Sequence, residues 1–165
     1  MHGLVAANTV VAATACSVWD VYGSLQVLTI INTCLPNVLG TVKVLQGDGH
    51  VGTLLNVTFP PGTPGVGYMK ENITKVDNKR RVKETETVEG GFLASGFKRY
   101  ITQYKVIEKN YTSSIIRSTI KYEIDDKLAN LTSLVNTNLV EILAETVGKY
   151  LTEIAPSPSP SPSPY

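Results

Sequence analysis

The sequence predicts an α+β fold: a seven-stranded, curved antiparallel sheet wrapped around a long C-terminal helix, with two short helices between the first and second strands. Three observations predict it. Six strand-like runs, each followed by turn residues, succeed one another between Leu39 and Ile124. Before them, residues 17 to 35 switch to helical spacing in two short pieces. After them, Leu128, Leu131, Val135, Leu139, Ile142, Leu143, Val147 and Leu151 recur every three or four residues.

Residues 4 to 13 are rich in Val and Ala and suit a first strand. Val18, Val21 and Tyr22 share one helical face, and Ser17 is placed to cap it. Gly23-Ser24 interrupts that helix, Leu25 to Leu35 forms the second, and Pro36 ends it. Strands occupy 39 to 46 and 53 to 59, separated by Gly47-Asp48-Gly49-His50-Val51-Gly52. Three glycines there permit a tight loop, and no Lys-Ser/Thr helix comes after it to make it a phosphate loop. Pro60-Pro61-Gly62-Thr63-Pro64-Gly65 is a stiff turn. A hairpin then spans residues 68 to 83, turning at Asp77-Asn78, and Glu89-Gly90-Gly91 turns the chain again. Phe97 to Glu108 and Ser114 to Ile124 complete a meander. Asp125-Asp126 can cap one amphipathic helix of about 25 residues from Leu128 onward. Residues 1–154 are thus one domain. Residues 155–165, a Pro-Ser repeat, are expected to form an extended, solvated tail.

Composition narrows the function. Hydrophobic residues make up 42% of the 165 and charged residues 18%, as in ordinary globular proteins. A net charge of +1 gives no electrostatic reason to expect nucleic acid or an anionic membrane as partner. Cys16 and Cys34 lack the spacing of a metal site or a disulfide framework and read as buried hydrophobes. No apolar run reaches the roughly 20 residues of a membrane span. The apolar N-terminus with Ala13-Thr14-Ala15 imitates a signal peptide, but no Lys or Arg precedes it, and cleavage would remove the first strand. The expectation is a cytoplasmic protein, monomeric or weakly dimeric. Sequons occur at Asn56, Asn72, Asn110 and Asn130, the first two inside predicted strands, where a glycan fits poorly.

One helix does not fill a strongly curved sheet, so the fold should leave an internal cavity for small apolar molecules. The hairpin carries a phenol, a carboxylate and an amine: Tyr68, Glu71 and Lys83. Alternation groups Arg81, Lys83, Thr85 and Thr87 on one face, with Val82, Glu84, Glu86 and Val88 on the other, and does not say which is inside. A charge run such as Lys79-Arg80-Arg81-Val82-Lys83-Glu84 is usually a solvated face. Tyr100, Thr102 and Tyr104 alternate on the long sixth strand and suit a cavity wall, while Val38 and Leu39 suit its lip.

These segments resemble the birch pollen allergen family of plants (pathogenesis-related class 10), in its norcoclaurine-synthase-like branch. The resemblance rests on Gly47-Asp48-Gly49 with Val51-Gly52-Thr53, on Val76-Asp77-Asn78 and on Val88-Glu89-Gly90-Gly91, and covers residues 4 to about 153. It implies an enzyme of plant alkaloid biosynthesis that condenses tyramine or dopamine with an aromatic aldehyde, without metal or organic cofactor. It implies Lys83 as the essential lysine, Glu71 as the essential carboxylate and Tyr68 as the phenol near the cavity mouth. Two departures stand out. Tyr68 and Glu71 are three residues apart, on opposite faces of a regular strand, so either a bulge near Met69 restores convergence or Met69 takes the tyrosine's place. Thr102 stands where an aspartate of the branch is expected, two residues after Tyr100. The family also contains non-catalytic carriers of hydrophobic plant metabolites and hormones, which need no Lys–Glu pair, and that reading stays open beside the enzyme.

Overall fold

A computed structural model describes residues 1–154. The expectation of a Pro-Ser tail concerns residues outside those described. Seven strands form one antiparallel sheet in the order β1-β7-β6-β5-β4-β3-β2. They are β1 (His2–Val11), β2 (Thr41–Gln46), β3 (Leu54–Thr58), β4 (Tyr68–Asp77), β5 (Val82–Gly90), β6 (Phe97–Glu108) and β7 (Ser114–Ile124). Between β1 and β2 lie helices α1 (Ala15–Tyr22) and α2 (Gln26–Cys34). A single turn, α3 (Gly91–Ala94), separates β5 from β6, and α4 (Asn138–Lys149) is the C-terminal helix. This is the predicted α+β architecture, and β6 and β7 take the predicted bounds. Among the described residues no helix is long and apolar enough to cross a membrane.

The core lies between the helices and the sheet. Val18, Val21 and Tyr22 of α1 meet Val11, Val106 and Ile116 of the sheet and Leu143, Ala144 and Val147 of α4, all nearly inaccessible to solvent. Gly148 lies where a Cβ would come within 2.7 Å of Val11, so only glycine lets α4 approach β1 this closely. A second cluster joins Phe97, Ile120 and Ile124 with Phe92 and Tyr100 around it.

Two local expectations are corrected. Thr14, not Ser17, caps α1: its Oγ1 accepts the Ser17 backbone N–H at 3.1 Å. The cap must precede the first helical turn, and Ser17 is already inside it. The C-terminal helix begins at Asn138, ten residues later than predicted. Residues Asp126–Leu134 form 3-10 turns instead, capped by Asp125 as expected, with Leu128 in a non-helical conformation. Val135 is extended, and Asn136 Oδ1 accepts the Asn138 N–H at 3.0 Å. Residues 130 to 138 are dense in Asn, Ser and Thr, whose side chains compete for backbone donors and carbonyls. The apolar spacing survives that break because both segments cover the same side of the sheet. After Lys149 the helix widens into a π turn over Tyr150–Ile154.

Candidate active site

Strand pairing decides which side chains of the hairpin face inward. β4 pairs with β5 so that Lys70 lies opposite Glu89 but Glu71 opposite Thr87. Val88 is therefore the extra residue, on β5, and β4 stays regular from Tyr68 to Ile73. Met69, Glu71 and Ile73 face the interior, whereas Tyr68 faces out and donates a hydrogen bond from its phenol to Glu89 Oε2 at 2.7 Å. β4 carries no bulge near Met69, so Met69, and not Tyr68, shares the inner face with Glu71. A second irregularity, between Ile73 and Lys75, makes Thr74 an extra residue on β4 and brings Val76 opposite Lys83. Lys83 then points inward with Thr85 and Thr87.

A cavity of about 570 Å³ opens between the sheet, α2 and the N-terminal part of α4. Its walls are mostly apolar, and Met69, Tyr100, Thr102, Tyr104, Val38 and Leu39 all line it, as do Glu71 and Lys83. Tyr68 does not. Phe92, which no sequence pattern marks directly, joins the lining residues. It stands on α3, stacks on Tyr100 with ring centroids 4.7 Å apart and forms part of the wall. The Gly90-Gly91 pair was the available signal: Gly90 has φ +70°, and a Cβ there would meet the Tyr68 carbonyl oxygen at 2.4 Å. Only that close approach lets the chain fold over the cavity and deliver Phe92. The Leu134–Leu139 stretch, expected to be helix, also lines the wall.

Lys83 is only 3% exposed. Its ammonium donates to the carbonyl oxygens of Tyr22 at 2.9 Å and Ser24 at 3.4 Å. These carbonyls close the C-terminal end of α1, where the helix dipole favours a cation. An ammonium has three donors, so one remains for the cavity. Desolvation pulls the Lys83 pKa down from 10.5 to about 8, opposed by the charge of Glu71. Glu71 accepts a hydrogen bond from Thr85 Oγ1 at 2.9 Å. Desolvation raises its carboxyl above the usual range, and the Thr85 bond and Lys83 only partly offset that. Nothing else among the described residues lining the cavity carries a formal charge. Asn78, at the predicted turn, accepts from Trp19 Nε1 at 3.0 Å and ties the hairpin to α1, whose Tyr22 carbonyl accepts from Lys83.

The model of the pathogenesis-related protein Bet v 1 family matches residues 10–153. The chain belongs to this family. Among Bet v 1 relatives, norbelladine synthase of Narcissus pseudonarcissus is 38% identical over 153 residues, spanning 93% of this chain and 94% of that protein. S-norcoclaurine synthase of Thalictrum flavum subsp. glaucum is 31% identical over 144 residues, spanning 87% of this chain and 68% of that one. A solved norcoclaurine synthase from Thalictrum flavum, in complex with dopamine and hydroxybenzaldehyde, superposes with a TM-score of 0.81 at 28% identity, covering 90% of this chain and 86% of that one.

Proposed function

We propose that this Bet v 1 protein is an enzyme that condenses an arylethylamine, tyramine or dopamine, with an aromatic aldehyde through an imine or iminium. One observation carries the reading: an ammonium buried in an apolar cavity, its proton affinity lowered toward neutrality, faces a carboxylate whose proton affinity is raised. The norbelladine and norcoclaurine synthase relatives make the substrate class specific. In this reading the enzyme works in the cytoplasm as a monomer or weak homodimer.

The chemistry assigns each group a task. The free amine attacks the aldehyde carbon, and the carbonyl π pair moves onto oxygen. Lys83 protonates that oxygen, and Glu71 takes the proton lost by the attacking nitrogen. Glu71 then returns that proton to Lys83, which passes it to the hydroxyl as the nitrogen lone pair forms C=N and water leaves, giving the iminium. A lysine with a pKa of about 8 is charged at neutral pH yet gives up its proton readily, as general acid catalysis requires. Met69, Tyr100, Thr102, Tyr104, Val38, Leu39 and Phe92 hold the aromatic rings. Ring closure needs a further proton acceptor. Thr102 occupies the place where the branch's aspartate is expected, so the reading centres on imine formation.

The test is an assay of tyramine or dopamine with a panel of aromatic aldehydes, trapping the imine with cyanoborohydride. In Lys83→Ala, product formation should fall by about two orders of magnitude or more, the contribution of one general acid. Lys83→Arg should fail as well, since a guanidinium keeps its proton at working pH. Lys79→Ala, in the exposed turn, should stay near the wild-type rate. Product at the buffer rate only, with micromolar binding of a cytokinin-like ligand, would instead make the protein a carrier.

A further inference from the structure

With Tyr68 outside the cavity, the site lacks the phenol expected near its mouth. We propose that Tyr104, one strand away from Lys83 on the cavity wall, supplies that hydroxyl and hydrogen-bonds the aldehyde oxygen as it takes negative charge. This inference rests on the condensation reading.

Four observations carry it. Tyr104 on β6 is the direct pairing partner of Lys83 on β5, so their side chains leave the same face as nearest cross-strand neighbours. Both line the cavity. Tyr22 fixes the two together: its carbonyl accepts from Lys83, and its ring packs against the Tyr104 ring at 5.0 Å with a 43° tilt. Finally, the surroundings of Tyr104 hold hydroxyls that no group among the described residues satisfies. These are Tyr22 Oη and Ser118 Oγ, from residues 0% and 1% exposed, and Ser118 is the pairing partner of Tyr104 on β7. Lys83, Tyr104 and Ser118 thus form one row across three strands, with Tyr22 laid over it. A buried, unpartnered hydroxyl is costly unless it is used, and two of them beside one cavity phenol mark a place built to exchange hydrogen bonds.

The other tyrosine of the wall is committed differently. The Tyr100 ring stacks on Phe92 and meets Phe97 edge-on at 6.2 Å, which serves packing of the aromatic cluster. Burial and the Glu71 charge push the Tyr104 phenol well above its ordinary range, so it remains a donor throughout turnover. It keeps its proton in every step, and Lys83 delivers the proton that leaves with water. Its contribution is a preorganised donor aimed at developing charge.

The experiment compares wild type, Tyr104→Phe and Tyr68→Phe in the tyramine–aldehyde assay. Tyr104→Phe keeps the ring against Tyr22 and removes only the hydroxyl. The expected result is a fall in kcat of about a hundredfold, the lower end for loss of one such donor, with KM within about twofold and melting temperature not lowered. A second readout needs no turnover: 4-methoxybenzaldehyde bound to the wild type should show a red-shifted absorbance from the hydrogen bond to its carbonyl, diminished in Tyr104→Phe. Wild-type kcat and an unchanged red shift in Tyr104→Phe would overturn the inference while leaving the condensation reading intact. Loss of activity in Tyr68→Phe alone would return the role to the hairpin. No product from the wild type would overturn both.

Discussion

At the residue scale the outcome turns on side chains that sequence alternation could group but not orient. Lys83, Thr85 and Thr87 were legible as one face, yet Val82, Glu84 and Glu86 opposite them looked no less suited to an interior. The structure resolves this through partners: Glu84 accepts from Gln103 at 2.7 Å and Glu86 from Arg99 at 3.0 Å on the outer face, while Lys83 finds helix-end carbonyls inside. Tyr68 was not legible for a related reason. A bulge on β4 and a bulge on β5 turn different residues inward, and only the pairing shows that Val88 is the extra one. Glu71 offers the residue-scale prediction. Glu71→Gln keeps the shape and an acceptor for the Thr85 hydroxyl but cannot take a proton. Product formation should fall about a hundredfold or more if Glu71 is the base, with little change in the affinity for a substrate aldehyde. A wild-type rate in steady-state assays would remove Glu71 from the chemistry.

At the element scale, the strands were readable because period-two runs ended in turn residues, and β6 and β7 came out with their predicted bounds. The C-terminal helix was readable only in part. Apolar spacing reports which side of the chain faces the core, and it continues through 3-10 turns and an extended residue as long as the core side is kept. The polar signal, Asn136-Thr137-Asn138, marks the break once Asn136 is seen closing its own turn. The short α3 was hidden behind a glycine pair that reads simply as a turn. Its position rests on Gly90, and this makes a sharp test. Gly90→Ala places a Cβ against the Tyr68 carbonyl at a φ of +70°. Strain of about 1–3 kcal/mol is expected. It should appear as a lower urea midpoint with an unchanged m value. Displacing α3 also moves Phe92 off the cavity wall, so KM for the aldehyde should rise while kcat changes less. An unaltered KM would mean that Phe92 does not hold substrate.

At the scale of the whole molecule, burying a charged lysine costs stability, and the cost has a pH signature. The Lys83 pKa falls from 10.5 to about 8 on folding. Below about pH 8 both folded and unfolded chains carry the proton, and the full penalty is present. Between about pH 8 and 10.5 the unfolded chain keeps it and the folded chain does not, so this group adds stability as pH rises through that window. At about 1.36 kcal/mol per pKa unit the penalty below the window is about 3 kcal/mol. Glu71 contributes in the opposite sense at acid pH: its carboxyl is raised, so the folded state is favoured as it becomes protonated and loses that gain as pH climbs. The buried phenols of Tyr22, Tyr100 and Tyr104 are raised too and weaken the fold at strongly alkaline pH. Comparison with Lys83→Met removes these shared effects. Methionine has nearly the same length, needs no partner and leaves the cavity wall apolar. At neutral pH Lys83→Met should be inactive and more stable than the wild type, by up to about 3 kcal/mol. That advantage should shrink steadily in urea titrations run from about pH 7.5 to pH 10. A difference that stays constant over this range would show that Lys83 is not held at a desolvation cost, and the case for it as the acid would weaken accordingly.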